Sequence, residues 1–223
     1  MKKIVIAADS FKGSISSQRF ADVCESAIAV ALPDCEVVKI PLGDGGEGTV
    51  DALTAAWSGK SVDVTVADPL LRPTVARYGV STDGATAILE MAQASGLPLL
   101  APDERNPLHT STYGTGQMIA DALARGCRNI LIGIGGSATN DGGLGMMSAL
   151  GARFYDADGH RVAEKGCGAD LELIAKIDLS HLNPLLDDAK ITAACDVDNP
   201  LCGQRGATRV FSRQKGADDS MAD

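Results

Sequence analysis

Four stretches of the sequence combine glycine with charged or hydroxyl side chains, and each follows an apolar run. The first, Asp9–Ser14, places a carboxylate, a cation and two hydroxyls within six residues. Lys12 could neutralise a substrate carboxylate or a phosphoryl group, and Ser10 and Ser14 are candidate substrate-binding groups. The alternative is a turn followed by a helix cap, which would leave Lys12 solvated.

A second stretch, Gly43–Gly48, holds four glycines in six residues. This density allows the backbone N–H groups of Gly45 and Gly46 to approach a substrate anion at the start of a helix. Asp44 in the same loop could be a metal ligand or a general base. The alternative is a capping box, because Asp44 and Glu47 have the spacing of a helix cap and its reciprocal partner.

The third stretch, Gly133–Gly143, contains five glycines, two hydroxyls, an amide and a carboxylate between an apolar strand and a helix. It matches neither the P-loop pattern nor the dinucleotide fingerprint, but its density of small and polar groups favours ligand binding. The alternative is a tight strand-to-helix turn capped by Asn140 or Asp141. The candidate substrate-binding residues are Ser137, Thr139, Asn140 and Asp141, and the candidate phosphate-binding residues are Gly135, Gly136 and Gly142.

The fourth stretch, Cys195–Leu201, brings two carboxylates together after another short apolar run. Asp196 and Asp198 could share a Mg²⁺ ion, which prefers hard oxygen ligands. Alternatively, these two residues and the Asn199-Pro200 dipeptide simply begin a turn. The spacing alone leaves both interpretations open.

Apolar periodicity predicts the elements that carry these loops. Residues 4–8 are typical of a strand buried on both faces, and Ser16 or Ser17 can cap a helix before a second strand at 36–40. The second glycine-rich loop then opens a helix that reaches about residue 57. The order strand, helix, strand, helix favours a parallel sheet with helices on its faces, and such sheets bind ligands at the carboxyl ends of their strands.

A second region of the chain begins near residues 64–70, where proline-containing dipeptides mark a boundary. An Asp-Gly hairpin signal follows it, between two β-like runs. The predicted elements are β-like runs at 75–80 and 85–91, a helix containing 118–123, and strands at 129–134 and 191–194. We therefore expect an α/β fold with two parts, residues 1–65 and residues 66–223.

The composition argues against several classes of function. A formal net charge of −9 repels phosphodiester backbones, so we expect no binding to nucleic acid. The six cysteines form no C-x-x-C pair and lie far in sequence from the three histidines, which argues against a zinc site. No apolar run approaches the roughly 20 residues that a membrane span needs, and the N-terminus does not read as a signal sequence. We expect a reduced, cytoplasmic protein.

Taken together, the loops carry a resemblance to a known family. The matching stretches are Asp9–Ser14, Gly43–Thr49, Gly133–Gly143, Cys195–Leu201 and Gln214–Ala217. In this order they resemble the signature motifs of the bacterial type of glycerate kinases. Five collinear motifs are far more specific than any single glycine-rich loop, and the similarity runs from residue 1 to about residue 217.

The resemblance implies a fold, an activity and a set of ligands. The implied fold has two α/β parts with the site in the cleft between them, and its N-terminal part is a parallel-sheet, flavodoxin-like half domain. The implied activity is Mg²⁺-assisted phosphorylation of D-glycerate by ATP, with the 2-phosphate as the expected product. Glycerate and ATP are therefore the expected partners, and assembly into a homo-oligomer is left open.

The same resemblance implies roles for individual residues. Phosphoryl transfer depends mainly on positioning and on neutralising charge. Lys12 would neutralise the glycerate carboxylate or the moving phosphoryl group. Asp44 or Asp196 would orient or deprotonate the attacking hydroxyl, with the other near Mg²⁺. Lys215, in the last matching stretch, would bind nucleotide phosphate.

Two departures from the family pattern bear on these expectations. Family members usually read Phe-Gly-Pro-Gln-Lys-Gly-Ala, whereas this chain has Phe211, Ser212 and Arg213 before Gln214, which puts the shape of that loop in question. Family members also continue past the matched region with a segment that completes the first domain. We therefore expect a truncated chain whose N-terminal part is incomplete. The alternatives are a catalytically incomplete fragment that binds a small anion, or a kinase of another small hydroxy acid.

Overall fold

The computed structural model describes residues 2–9, 11, 14–43, 46, 48–195 and 197–222. It shows a mixed α/β protein, which confirms the predicted fold class. The strands are β1 (Lys2–Ala8), β2 (Cys35–Pro41), β3 (Lys60–Ala67), β4 (Pro73–Val80), β5 (Thr86–Glu90), β6 (Asn129–Gly133), β7 (Arg153–Tyr155), β8 (Lys176–Asp178) and β9 (Lys190–Ala194). The α-helices are α1 (Ser17–Ala31), α2 (Thr49–Ala56), α3 (Ala92–Ser95), α4 (Tyr113–Ala124), α5 (Leu144–Ala149), α6 (Ala207–Phe211) and α7 (Asp219–Ala222). Short 3₁₀ helices occupy Leu97–Leu99, Pro102–Glu104, Gly168–Leu173, Pro184–Leu186 and Arg213–Lys215.

The first layer is a parallel pair, β1 and β2, connected by α1. Ser16 caps α1, as predicted, by accepting a 3.2 Å hydrogen bond from the backbone N–H of Arg19. Lys39 of β2 then ties the sheet to this helix, because its Nζ lies 2.9 Å from Asp22 and 2.7 Å from Glu25. These contacts hold α1 against one face of the pair.

The prediction that β1 is buried on both faces is wrong for the described residues. Ile6 is buried in β1, whereas Val5 on the opposite face is 52% exposed. α1 packs on one face of this pair, so the continuous apolar run of residues 4–8 lies here in a strand with an exposed face.

The larger layer is a five-stranded sheet in the order β3-β4-β5-β6-β9. β3, β4 and β5 pair antiparallel, and β5, β6 and β9 pair parallel. The predicted hairpin between β4 and β5 is confirmed: the Ser81 hydroxyl donates to Asp83, and Gly84 takes a φ of 73° that favours glycine. The parallel half of the sheet places the ends of β5 and β6 side by side, with Glu90 next to Gly133.

The main core lies between this sheet and α4. Its completely buried side chains include Tyr78, Leu89, Met118, Leu123 and Ile130. α4 also packs closely on α5, because a Cβ atom at Gly116 would lie 2.3 Å from the carbonyl oxygen of Met146. This packing fixes the start of α5 and therefore the loop before it.

The predicted boundary between residues 65 and 66 falls within β3, a strand of the five-stranded sheet. The division into domains 1–65 and 66–223 stays a prediction. Within the described part of the chain, no helix combines the length and apolar character needed to cross a membrane.

Candidate active site

A pocket of about 290 Å³ lies at the carboxyl ends of β5 and β6, where the sequence predicted ligand binding. Its wall is the third glycine-rich loop, which runs from the end of β6 to the start of α5. Both hydroxyl-bearing and apolar side chains line the pocket. The lining residues are Met91, Thr112, Thr115, Ile132, Ile134, Ser137, Thr139, Asn140, Asp141, Gly142, Gly143 and Met146.

Asp141 is the anchor of this loop. Its Oδ2 accepts hydrogen bonds from the backbone N–H and the hydroxyl of Thr112, at 2.8 and 2.7 Å. The N–H of Gly143 donates to Oδ1 at 3.1 Å and the N–H of Gly145 to Oδ2 at 3.2 Å. The side chain is 2% exposed, so the protein itself satisfies this carboxylate. The alternative interpretation of Asp141, a residue that caps the helix start, therefore accounts for its contacts.

Lys215 reaches the same loop from the far end of the chain. Its Nζ donates to the Ser137 hydroxyl at 2.8 Å and to the Thr139 carbonyl at 2.6 Å. The residue is 8% exposed, and burial lowers the pKa of this ammonium to about 8, although the nearby Asp141 carboxylate acts in the opposite direction. The structure therefore brings three predicted site residues, Lys215, Ser137 and Thr139, together.

Asn140 makes a second link between the loop and the C-terminal segment. Its Nδ2 donates to the hydroxyl of Thr208, in α6, at 3.0 Å. Gly135, Gly136 and Gly142 lie in the same loop, and positive φ angles at Gly136 and Gly142 allow it to turn back towards α5. Of the candidate residues of the third loop, all but Gly135 and Gly136 line the pocket.

The second glycine-rich loop leads into α2. The helix begins at Thr49 after an N-cap at Gly48, which has a φ of 95° and no side-chain cap. Asp44 and Glu47, the two residues of the alternative capping box, lie outside the described part of the chain, so that alternative stays a prediction. Gly46, a predicted substrate-binding position, is buried just before this turn.

Glu90 joins this helix start to the sheet, and the sequence interpretation gave it no role of its own. Its Oε1 accepts a 2.9 Å hydrogen bond from the N–H of Val50, in the first turn of α2. It is 3% exposed, and burial raises the pKa of its carboxyl group. The sequence contained a signal for this contact, because a lone carboxylate at the end of an apolar strand needs a hydrogen-bond partner when it is buried.

The remaining predicted site residues are either exposed or outside the described part of the chain. Ser14 is exposed in the turn that follows β1, and its N–H donates to the Phe11 carbonyl at 2.8 Å. Asp198 is exposed after β9. The predicted site residues outside the described part of the chain are Ser10, Lys12, Asp44, Gly45 and Asp196.

The fold and the pocket define an α/β protein with a pocket at the carboxyl ends of parallel strands, lined by apolar side chains, hydroxyl groups and two glycines. Comparison with protein families gives the particular group, because residues 4–223 match the glycerate kinase family. The chain belongs to the glycerate kinase family.

Individual relatives agree with this assignment. The chain is 50% identical over 219 residues to the glycerate kinase of Bacillus cereus and 48% identical over 219 residues to the glycerate 2-kinase of Escherichia coli. Each alignment covers 98% of this chain and 57% of the relative. A crystal structure from Salmonella typhimurium LT2, of a protein assigned as a glycerate kinase 2, superposes with a TM-score of 0.89 at 49% identity. That match covers 99% of this chain and 59% of the other.

Proposed function

We propose that this chain supports ATP-dependent phosphorylation of D-glycerate to a phosphoglycerate, with the 2-phosphate as product, in the cytoplasm. The observation that carries the proposal is the pocket wall built by Ser137, Thr139, Gly142 and Gly143, in a chain of the glycerate kinase family. Relatives named glycerate kinase and glycerate 2-kinase supply the substrate and the position of transfer.

The third loop suits a small anionic ligand despite the acidic net charge. Hydroxyl groups and backbone N–H groups donate hydrogen bonds to carboxylate or phosphate oxygens without adding a formal charge. Ser137 and Thr139 provide the hydroxyls, and Gly142 provides backbone in the pocket lining that can approach an anion closely. Gly135 and Gly136 precede these residues in the same loop. Asp141 takes no ligand in this scheme, because its oxygens already accept four hydrogen bonds from the protein.

Charge neutralisation and activation of the hydroxyl would fall to three other residues. Lys12 would neutralise the glycerate carboxylate or the transferring phosphoryl group. Either Asp44 or Asp196 would orient or deprotonate the attacking hydroxyl of glycerate. These three roles are proposals that rest on the match of this sequence to the motifs of the family.

The residues after β9 fit a magnesium ion chemically. Mg²⁺ prefers carboxylate oxygens, and Asp198 offers an exposed carboxylate that has no hydrogen-bond or ion-pair partner among the described residues. Asp196 and Asp198 would hold the ion. Bound there, Mg²⁺ would supply neutralisation of phosphate charge.

A coupled assay of ADP release tests the proposal on the 223-residue chain with Mg²⁺, ATP and D-glycerate. Turnover above the ATPase background supports it, and ³¹P NMR of the product distinguishes the 2-phosphate from the 3-phosphate. Asp44→Asn and Asp196→Asn should each lower turnover at least 100-fold, since each removes a carboxylate proposed either to activate the hydroxyl or to bind Mg²⁺. Asp188→Asn, at an exposed position, is the matched control and should retain full turnover.

Three results would revise the proposal. If both Asp44→Asn and Asp196→Asn left turnover unchanged, the scheme for activating the hydroxyl would be wrong. Turnover with another small hydroxy acid in preference to D-glycerate would assign a different acceptor. A folded chain that binds D-glycerate or ATP without turnover would be an anion-binding fragment of a kinase.

A further inference from the structure

The contact with Lys215 determines whether the Ser137 hydroxyl donates or accepts a hydrogen bond. An ammonium group carries three donors and no acceptor. In the 2.8 Å contact between Lys215 Nζ and Ser137 Oγ, the serine oxygen must therefore accept. The hydroxyl hydrogen of Ser137 is consequently left to donate to another group.

Nothing in the described part of the chain accepts that hydrogen. Ser137 lines the pocket together with Thr139, whose hydroxyl is likewise without a hydrogen-bond partner among the described residues. Thr139 is only 5% exposed. Because Thr139 also lines the pocket, its hydroxyl can bind a ligand oxygen there.

The charge of Lys215 is partly offset within the protein, although burial has the larger effect on its pKa. The buried carboxylate of Asp141 lies close enough to favour the charged ammonium, against the effect of burial. The Lys215 side chain also donates to the Thr139 carbonyl, so two of its three donors are used by the loop. Lys215 is therefore equipped to hold the loop rather than to serve as the main cation for a ligand.

The backbone next to Lys215 is held as firmly as the side chain. Gly216 has a φ of 96°, and a Cβ atom there would lie 1.9 Å from the carbonyl oxygen of Arg105. The hydrogen bond from Asn140 to Thr208 ties the same segment to the loop a second time. These contacts keep the ammonium in one position behind the pocket wall.

We propose that Lys215 is a positioning residue that forces the Ser137 hydroxyl to donate into the pocket, where it binds an anionic oxygen of the ligand beside Thr139. The identity of the ligand rests on the proposed function: the anionic oxygen belongs to the carboxylate of D-glycerate or to a phosphate of ATP. It replaces the sequence-based expectation that Lys215 itself binds nucleotide phosphate.

A double-mutant cycle on the 223-residue chain tests the proposal. Dissociation constants of D-glycerate and of ATP are measured separately by titration calorimetry for wild type, Ser137→Ala, Lys215→Met and the double variant. Losing one hydrogen bond to a charged group weakens binding about tenfold. For one of the two ligands, we expect about tenfold weaker binding in each single variant and no further loss in the double variant. The ligand that responds identifies the source of the anionic oxygen.

Independent losses that multiply to about 100-fold in the double variant would overturn the proposal, because Lys215 would then act on the ligand directly. An unchanged affinity in Ser137→Ala would overturn it as well, and so would a wild-type chain that binds neither ligand. Lys190→Met, at an exposed lysine, is the control and should bind as wild type does.

Lys215→Gln separates hydrogen-bond donation from charge, and Lys215→Leu replaces Lys215→Met in the cycle if that variant does not fold. Because glutamine retains a donor for Ser137 without the charge, we expect it to keep most of the affinity. A loss as large as that of Lys215→Met would contradict positioning. Since the readout is equilibrium binding, coupled losses in a chain without turnover would leave this inference standing while the proposed kinase activity failed.

Discussion

The carboxylate of Asp141 binds both the backbone N–H and the hydroxyl of Thr112, at 2.8 and 2.7 Å. Thr112 is the N-cap of α4, and the same carboxylate accepts from the backbone at the start of α5. One buried side chain therefore joins the beginnings of two helices, where a negative charge is favourable. The pocket wall between them depends on this junction.

Removing this carboxylate should destabilise the fold strongly. Asp141→Ala leaves four donors near the pocket without their acceptor, and we expect the free energy of unfolding to fall by about 3 kcal/mol or more. Urea denaturation followed by circular dichroism measures the change. Asp188→Ala, at an exposed site, should stay within about 0.5 kcal/mol of wild type. Equal effects of the two substitutions would show that Asp141 does not anchor the helices.

Close packing of α4 on α5 leads to a second prediction. Gly→Ala inside a helix ordinarily stabilises it by up to about 1 kcal/mol. At Gly116 the new Cβ would meet the Met146 carbonyl oxygen at 2.3 Å, so we expect Gly116→Ala to destabilise by about 2–4 kcal/mol. Thermal unfolding measures it, with Ala124→Gly at the exposed end of α4 as a control that should cost about 1 kcal/mol. A stabilised Gly116→Ala variant would contradict the packing described for these helices.

The pKa of Lys215 leads to a third prediction, about stability at alkaline pH. Burial lowers this pKa to about 8 in the folded chain, below the ordinary lysine value of about 10.4. Between these two pKa values the unfolded chain binds more protons than the folded chain does. The contribution of Lys215 to the free energy of unfolding therefore rises with pH. We expect wild type to gain about 1–3 kcal/mol relative to Lys215→Met between pH 7.5 and pH 10.5. The measurement is urea denaturation at both pH values.

Lys190→Met serves as the control for that experiment, because Lys190 is exposed. Its stability relative to wild type should be nearly independent of pH over the same interval. A Lys215→Met variant that behaved in the same way would mean that the ammonium is not buried in the folded chain.

Glu90 leads to a fourth prediction, with the opposite dependence on pH. Burial raises the pKa of this carboxyl group, so the folded chain holds its proton at pH values where the unfolded chain has lost it. The free energy of unfolding of wild type should therefore fall, relative to Glu90→Gln, as pH rises above the ordinary glutamate value of about 4.3. Denaturation at pH 4.5 and at pH 8 measures the difference.

Glu172→Gln, at an exposed position, should show no such trend. The amide of Gln at position 90 still has an oxygen that can accept from the N–H of Val50, so the link to α2 is retained while the charge is removed. A constant difference between Glu90→Gln and wild type at both pH values would contradict a buried, charge-bearing Glu90.

The sequence by itself determined the α/β class, the hairpin at Asp83-Gly84, the Ser16 cap and the position of the pocket loop after β6. These features follow from interactions between residues that are close in the chain: apolar periodicity, turn chemistry and capping. It also determined the family, because motifs in a fixed order need no knowledge of contacts.

Only the tertiary structure decided what several of those residues do. Asp141 could equally have been a ligand group or a cap, and it became an anchor because Thr112 packs beside it. Lys215 meets Ser137 from 78 positions away, and Glu90 meets Val50 from 40 positions away. The partner of a buried polar group is set by the packing of distant elements, because the sequence states only that such a group needs one.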